Sequence, residues 1–392
     1  MPPRRPLPWP PGYVRMRSAR AAALAAAAVV AALAAAPARA EQAFSPAGPW
    51  NKPIAANPAL EPTSAAQVNA LATYIRLKAD PLHPEHSFPY FQHANYSTPI
   101  HRVGAGAPKR SLTINGNRPH QQTLIQSING NGGVPFPPGA QAADGTDGHI
   151  TVLDTSAHVL YEFWRASSPE QNAPGCTQAL DWGAPCHGDG QWHAEYGGIM
   201  DQYDTDPGYF SNAAWPGLAP TDGWHWGATA TSLPLLGGLI TFEDLRSGVI
   251  GHAVGIALPD ACASYFVHPA QRSDGNQNEP TCIPEGARLQ LDPTYDVNAD
   301  TNPPLTKAVE RAAQKYGLVV HDITHDNVGF AGQDPQTEAT NPYRTGPGVG
   351  GIDNGNRGFF GDRQPYNLFQ SFPWSRLRVI AARHCTAHPC LP

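Results

Sequence analysis

Glycine and proline are the residues that most restrict what this chain can fold into. The 392 residues include 38 glycines and 42 prolines, about one residue in five, against roughly 12% in an average protein. Because both residues interrupt helices, a long helical bundle or a coiled coil is excluded. The nine tryptophans, 13 tyrosines and 13 phenylalanines are too many for a disordered chain. We therefore predict a loop-rich globular protein that is mainly β with a few short helices.

Residues 1–40 have the pattern of an export signal. Several arginines precede an apolar run at residues 21–36, and residues 38–40 are Ala-Arg-Ala, which fits the small-x-small rule for cleavage. The run is shorter than the ~20 apolar residues that a membrane helix needs, although a retained anchor helix is the alternative. We predict cleavage near Glu41, a secreted protein, and no membrane span after cleavage.

The charge balance argues against a nucleic-acid partner. The chain has 26 basic and 32 acidic residues. Six arginines and no acidic residue lie within residues 1–40, so a cleaved chain keeps 20 basic residues and has a net charge of −12 with neutral histidines. Binding to nucleic acid needs clustered lysine and arginine that neutralise phosphates, and no such cluster is present.

The six cysteines fit an exported protein. An even number of cysteines in a secreted chain indicates disulfides, and pairing between sequence neighbours is the simplest arrangement. The expected pairs are Cys176 with Cys186, Cys262 with Cys282, and Cys385 with Cys390. The last pair has His384 and His388 beside it, so zinc ligation is the alternative there.

We predict three segments along the chain: the export signal at residues 1–40, a proline-rich strap at 41–62, and a single β-rich domain at 63–392. The favoured architecture for this domain is a β-sandwich or a jelly-roll-like fold. Residues 166–230 form a long region rich in tryptophan and tyrosine. Because a loop of this length in a compact body is usually functional, we predict that it borders the site.

The clearest local element is a β-hairpin, with strands at residues 149–154 and 158–164 joined by a short turn. Short helices are predicted after Ser64, after Thr241 and at about residues 304–316, from capping residues and from apolar positions that repeat with helical spacing.

Several short sequence motifs are found together in this chain. The sequence resembles a largely uncharacterised family of secreted bacterial proteins, and the resemblance covers most of residues 44–325. It implies one intact exported domain. The matching phrases are Pro49-Trp50-Asn51 with Ile54, His149-x-x-Val152-x-Asp154 with Leu160-Tyr161-Glu162, Leu233-Pro234-Leu235 to Gly238-Leu239, Glu243, Ser247-Gly248 and His252-Ala253, Pro269, Ser273-Asp274, Gly286-Ala287-Arg288-Leu289, and Tyr316-Gly317 with Asp322.

The motifs of several large enzyme classes are absent from the sequence. It has no P-loop, no H-E-x-x-H zinc motif, no Rossmann glycine run and no G-x-S-x-G nucleophile elbow. The remaining signal is acidic residues, histidines and aromatic residues in an exported chain. Aromatic side chains stack on the flat faces of sugar rings, so our leading hypothesis is a glycoside hydrolase that acts on an extracellular polysaccharide. We expect six residues to contact this polysaccharide: Trp192, Trp224, Trp226, Tyr161, His149 and Arg288.

A glycosidase needs two carboxyl groups across the scissile bond. The candidates for this pair are Asp154, Glu162, Asp201, Glu243 and Asp322. Two of them have structural alternatives, since Asp154 could start a turn and Glu243 could complement a helix dipole.

Two other functions stay open. A polysaccharide lyase needs a base and a group that neutralises a uronate carboxylate, and His252 with Tyr161 and Arg288 supplies those types. A non-catalytic carbohydrate-binding or cell-surface protein is the third hypothesis. We expect no cofactor and assign no metal site, although His321-Asp322-x-x-His325-Asp326 has residue types that bind metals.

Overall fold

The computed structural model describes residues 43–83, 86–116, 119–210, 227–344, 358–387 and 389–392. These residues belong to one compact unit. The predicted export signal lies outside the described residues. The protein is mainly β, as predicted, with four helices among the described residues.

Three of the four helices were predicted from the sequence. The bounds are α1 Ser64–Lys78, α2 Pro119–Gly130, α3 Phe242–Ser247 and α4 Pro304–Lys315. In α3 the Thr241 hydroxyl accepts the Asp244 N–H in a capping box, and Gly248 ends the helix with φ 68°. Ser64 does not cap α1; its hydroxyl instead accepts the Val379 N–H at 2.8 Å. We did not predict α2, which is mostly polar and buries Leu124 and Ile128.

The described strands are short and form four sheets. Their bounds are β1 Tyr90–Gln92, β2 Ile100–Val103, β3 Leu112–Ile114, β4 Ile150–Asp154, β5 Val159–Trp164, β6 Trp192–Ala194, β7 Tyr196–Asp201, β8 Val254–Leu258, β9 Phe266–Val267, β10 Arg288–Leu291, β11 Leu318–Ile323, β12 Gly329–Ala331, β13 Leu377–Val379 and β14 His384–Cys385.

Two larger sheets organise the structure. One has six strands in the order β1-β12-β8-β11-β10-β13, and the other has four in the order β2-β4-β5-β7. Each sheet has its own hydrophobic core: the six-stranded sheet packs with α1 and α4, and the four-stranded sheet packs with α2. The pairs β1 with β12, β8 with β11, β2 with β4 and β3 with β6 are parallel. A jelly roll is built from antiparallel strands, so that part of the predicted architecture is not confirmed.

The predicted hairpin is confirmed as β4 and β5, and its register decides which side chains share a face. Asp154 is opposite Val159, whereas Glu162 is opposite Thr151. Because successive residues of a strand point to opposite faces, Asp154 lies on the face of Tyr161 and Glu162 lies on the other face.

The disulfides pair as predicted: Cys176 with Cys186, Cys262 with Cys282, and Cys385 with Cys390. The last bridge takes up both cysteines that could have bound zinc. In the part of the chain that the structure describes, no helix is both long enough and apolar enough to cross a membrane.

Candidate functional site

An open cleft of about 950 Å³ is lined by strands β1, β12, β8 and β11 of the six-stranded sheet and by the segment that leads into β4. Its described lining includes four histidines, three tyrosines and two aspartates. These residues are His93, His149, His321, His325, Tyr90, Tyr96, Tyr366, Asp147 and Asp322. The described lining includes no lysine or arginine. Imidazole and phenol groups therefore outnumber carboxyl groups in this cleft.

A β-bulge in β11 brings two of these side chains into the cleft. The pairing of β11 with β8 shifts between Val320 and Asp322, so His321 is the extra residue. In a regular strand His321 and Asp322 would point to opposite faces. A bulge breaks this alternation and re-aims a side chain, and both residues line the cleft.

A tight turn before β4 supplies the opposite wall. Asp147 and His149 both line the cleft, and Gly148 between them has φ 46°. A Cβ at Gly148 would lie only 3.2 Å from the Arg165 Cα, so only glycine fits this turn without strain. Asp147 accepts a hydrogen bond from the Trp164 indole N–H at 3.2 Å.

The strap residue Trp50 lies beneath the glycine-rich part of the cleft. Its side chain is 1% exposed, and its indole N–H donates to the Gly208 carbonyl oxygen at 2.6 Å. Its ring packs edge-on against the His321 ring, with the ring centres 6.2 Å apart. Gly238 has φ 73°, and a Cβ there would overlap Gly255 and the Trp50 ring. The cleft is therefore close to the backbone of the sheet at this point.

The two facing histidines have lowered pKa values. Burial lowers the pKa of His149, and the Asp147 carboxylate only partly opposes this effect. Burial also lowers the pKa of His321 to about 4. His321 Nε2 lies 2.9 Å from the Pro234 carbonyl oxygen, which can only accept, so Nε2 carries the proton and Nδ1 the lone pair. His149 makes no side-chain hydrogen bond within the described part of the chain.

Asp322 belongs to a cluster of three carboxyl groups with Asp274 and Glu285. One oxygen of each residue lies within 4.8 Å of the others. Burial and the neighbouring Asp274 raise the pKa of Asp322 to about 7 and the pKa of Glu285 to about 9. Glu285 Oε2 accepts the Asp274 N–H at 3.1 Å. Glu285 Oε1 is buried and has no hydrogen-bond partner among the described residues.

Arg272 lies near this cluster, but its guanidinium also hydrogen-bonds to other groups. It donates to the Tyr196 hydroxyl at 2.8 Å and to the Thr229 carbonyl oxygen. Its guanidinium carbon also lies 4.6 Å from the centre of the Tyr196 ring. Arg272 lowers the pKa of Asp322 only as the weakest of the identified influences.

Two of the predicted site residues, His149 and Asp322, line the cleft. A second group, Asp154, Tyr161 and Asp201, comes together on the hairpin face of the four-stranded sheet. Asp154 and Asp201 are both opposite Val159, and after burial they are the influences that raise the pKa of Tyr161 to about 12. Asp154 accepts hydrogen bonds from Ser156 and Ala157, which is the turn-starting role.

Glu162 is fully buried between the four-stranded sheet and residues 235–236. Its Oε2 accepts the Leu235 N–H at 2.7 Å, and its Oε1 accepts the Leu236 N–H at 2.9 Å. Burial raises the pKa of Glu162 to about 8, while these two N–H groups oppose the shift. Both carboxyl oxygens of Glu162 are therefore occupied by backbone N–H groups.

The other predicted residues are held away from the cleft. Glu243 is exposed in the first turn of α3, where it complements the helix dipole. His252 lies with Nε2 3.3 Å from Asp244 Oδ2 and Nδ1 2.8 Å from the Ala253 carbonyl oxygen. Arg288 donates to the Lys52 carbonyl oxygen at 3.4 Å, and burial lowers its pKa to about 10. None of His252, Tyr161 and Arg288 is among the described residues that line the cleft.

The predicted aromatic platform is only partly within the described residues, because Trp224 and Trp226 lie outside them. Trp192 is in β6, is 4% exposed and stacks on Phe136 with ring centres 3.8 Å apart. It contributes to the lining of a second groove of about 660 Å³, but its ring face is covered by Phe136. Trp192 is therefore mainly a core residue.

We did not select Asp147, Glu285 or Arg272 from the sequence, and of Asp274 and His321 we noted only a motif position and a metal-binding residue type. Asp147 could have been selected from the sequence, since it lies two residues before the predicted strand that begins with His149. The carboxyl cluster had none, because Asp274, Glu285 and Asp322 meet only through loop closure and strand pairing.

Comparison with protein-family models, with curated proteins and with solved structures finds no match to this chain. The residues and geometry of the cleft are therefore the basis for the functional proposal.

Proposed function

We propose that the protein is a secreted enzyme that cleaves a uronate-containing polysaccharide in the cleft by β-elimination. The observation that carries this proposal is a cleft whose described lining includes four histidines and three tyrosines against two aspartates, with the pKa of His149 lowered by burial. Of the five carboxylates predicted for hydrolysis, the cleft contains only Asp322. Imidazole and phenol chemistry fits proton abstraction better than a two-carboxylate mechanism.

In this reaction His149 removes the proton on the carbon next to the uronate carboxylate. The electron pair forms a carbon–carbon double bond, and the glycosidic carbon–oxygen bond on the neighbouring carbon breaks. The departing oxygen takes a proton from a tyrosine. Tyr90 is our choice for this donor, because it is the least exposed of the three tyrosines in the described lining of the cleft and a phenol carries its proton at neutral pH.

The test is incubation of the mature protein with uronate-containing and uronate-free polysaccharides. Elimination creates an unsaturated uronate end, which absorbs ultraviolet light, and we expect it only with the first group. Product masses distinguish the outcomes, because hydrolysis adds water and elimination does not. Uronate chains that remain intact, or products that all contain added water, would contradict the proposal.

Hydrolysis is the second candidate, and a specific observation favours it. Asp147 and Asp322 line the same cleft and interact electrostatically, since Asp147 contributes to the raised pKa of Asp322. A facing pair of this kind is what a glycosidase uses. New reducing ends without ultraviolet absorbance would support this candidate. Binding to a polysaccharide without any cleavage would instead support the carbohydrate-binding hypothesis.

A further inference from the structure

We propose that Asp274, Glu285 and Asp322 form a binding site for a calcium ion at the wall of the cleft. The three residues come from different parts of the fold. Asp274 lies in the loop closed by the Cys262–Cys282 disulfide, Glu285 precedes β10, and Asp322 follows the bulged residue of β11. Their carboxylate oxygens nevertheless converge to within 4.8 Å of one another.

The fold holds this cluster in place through backbone contacts. Gly286 N–H donates to the Val320 carbonyl oxygen at 2.8 Å, which brings Glu285 against β11. The Asn276 N–H donates to the carbonyl oxygen of Ala261 at 2.9 Å, which joins the disulfide-closed loop to the residue before Cys262. Backbone connections thus bring three acidic side chains together, although carboxylates repel one another when they are ionised.

A second observation points to a missing partner. Glu285 is 0% exposed, and its Oε1 has no hydrogen-bond partner among the described residues. Burying a carboxyl oxygen without a partner is costly, and crowding it with two further carboxyl groups adds to this cost. A cation bound between the three groups removes both penalties at once.

The donor set indicates which ion fits. All three ligands are carboxylates, and hard oxygen ligands of this kind suit calcium, magnesium or manganese rather than zinc or copper. Calcium takes 6–8 oxygens in flexible geometry, so three carboxylates leave positions for water or for a substrate. An irregular site built from two loops and a bulged strand favours calcium over magnesium, which needs near-ideal octahedral geometry.

This site deepens the proposed function and rests on it for its role. Asp322 is the member of the cluster that lines the cleft, so the ion would adjoin the bound polysaccharide. The described lining contains no lysine or arginine, and its acidic groups repel a uronate. The calcium ion would neutralise the uronate carboxylate, which makes the neighbouring proton easier to remove.

The experiment measures calcium binding directly, without reference to activity. The full mature chain is freed of metal with a chelator, and calcium is titrated by calorimetry, with terbium luminescence as a second signal. We expect one ion per chain and a higher Tm in calcium. We expect at least tenfold weaker binding in Asp274→Asn and in Glu285→Gln. Asp296→Asn is the control, because Asp296 is an exposed acidic residue outside the cluster.

Several outcomes would overturn the site. These are no stoichiometric binding to the metal-free chain, unchanged affinity in Asp274→Asn, or tighter binding of magnesium than of calcium. Asp274 is exposed, so its variant tests the site even if Glu285→Gln does not fold. Calcium binding without any polysaccharide cleavage would leave the site intact and refute only the proposed reaction.

Discussion

The cleft and the β4–β5 hairpin contain similar residue types but use them differently. On the hairpin, Asp154 accepts hydrogen bonds in its own turn and Glu162 accepts two backbone N–H groups. In the cleft, His149 makes no such bond within the described residues, and Glu285 Oε1 behind the wall has no partner there. Folded proteins satisfy most buried polar groups internally, so an unpartnered group beside a cavity is a candidate contact for a ligand.

This contrast separates residues that have internal partners from residues that face a cavity. Glutamate is depleted in strands, and Glu162, which lies in β5, is one of the five carboxylates that we predicted for catalysis. Its partners explain it without any substrate. The bulge at His321 and the turn at Gly148 are the features that expose polar groups to a cavity, and bulges often occur beside active sites.

We expect the largest effect when His149 of the cleft and His158 of the hairpin turn are replaced and the two variants are compared. His149→Asn should lower the rate of polysaccharide cleavage by about 10²–10⁴-fold, the usual contribution of a general base. His158→Asn should change it little, because His158 is an exposed residue of the hairpin turn that pairs with Asp204 at 3.0 Å. Initial rates of unsaturated-product formation measure both. Equal losses of cleavage rate in the two variants would contradict a catalytic role for His149.

The next effect concerns the disulfide that closes the loop bearing Asp274. Replacing both Cys262 and Cys282 with serine should lower the free energy of unfolding by about 2–4 kcal/mol. It should also weaken calcium binding, since the loop would no longer be closed. The matched control replaces Cys176 and Cys186, whose bridge should stabilise the fold without affecting calcium. Urea unfolding and calcium titration of both variants check this, and equal calcium affinities would contradict the link.

A smaller effect tests the structural role of the hairpin glutamate. Glu162→Gln should destabilise the fold by about 1–3 kcal/mol, because the amide places a donor against a backbone N–H and leaves one group unsatisfied. Glu243→Gln, on the exposed first turn of α3, should cost only about 0.3–1 kcal/mol. Urea unfolding of the two variants compares them. A stable but inactive Glu162→Gln protein would return Glu162 to the catalytic candidates.

The smallest effect is a pH dependence at His252. Burial would lower its pKa, but the Asp244 carboxylate and two hydrogen bonds outweigh burial and raise it. Both ring nitrogens face acceptors, so only the protonated ring satisfies them. The stabilisation is therefore complete below the unfolded pKa of about 6.5 and is lost as pH rises through the folded pKa.

The variant His252→Gln isolates the pH-dependent contribution of His252 to stability. The difference in unfolding free energy between the native protein and the variant should be larger at acidic pH than at alkaline pH, as measured by urea unfolding across that range. A difference that is constant with pH would mean that the His252–Asp244 pair does not titrate as described.

Much of the local structure was predictable because it depends on neighbouring residues. Thr241 and Gly248 delimit α3, alternating apolar residues delimit the hairpin, and the cysteines pair with their nearest neighbours. The exceptions have physical reasons. Helix α2 has few apolar residues and gains its stability from packing, and the parallel strand pairs depend on crossovers that no local pattern reveals.

The candidate site was far less predictable. Composition indicated acids, histidines and aromatic residues in a chain with a predicted export signal, but not which of them share a cavity. Capping, turns and strand alternation are short-range effects, so the amino-acid order alone was enough to establish them. The cleft and the carboxyl cluster depend on a one-residue bulge and on loops closed over long sequence distances. Packing and strand register set those features, because a shift of one residue sends a side chain to the opposite face.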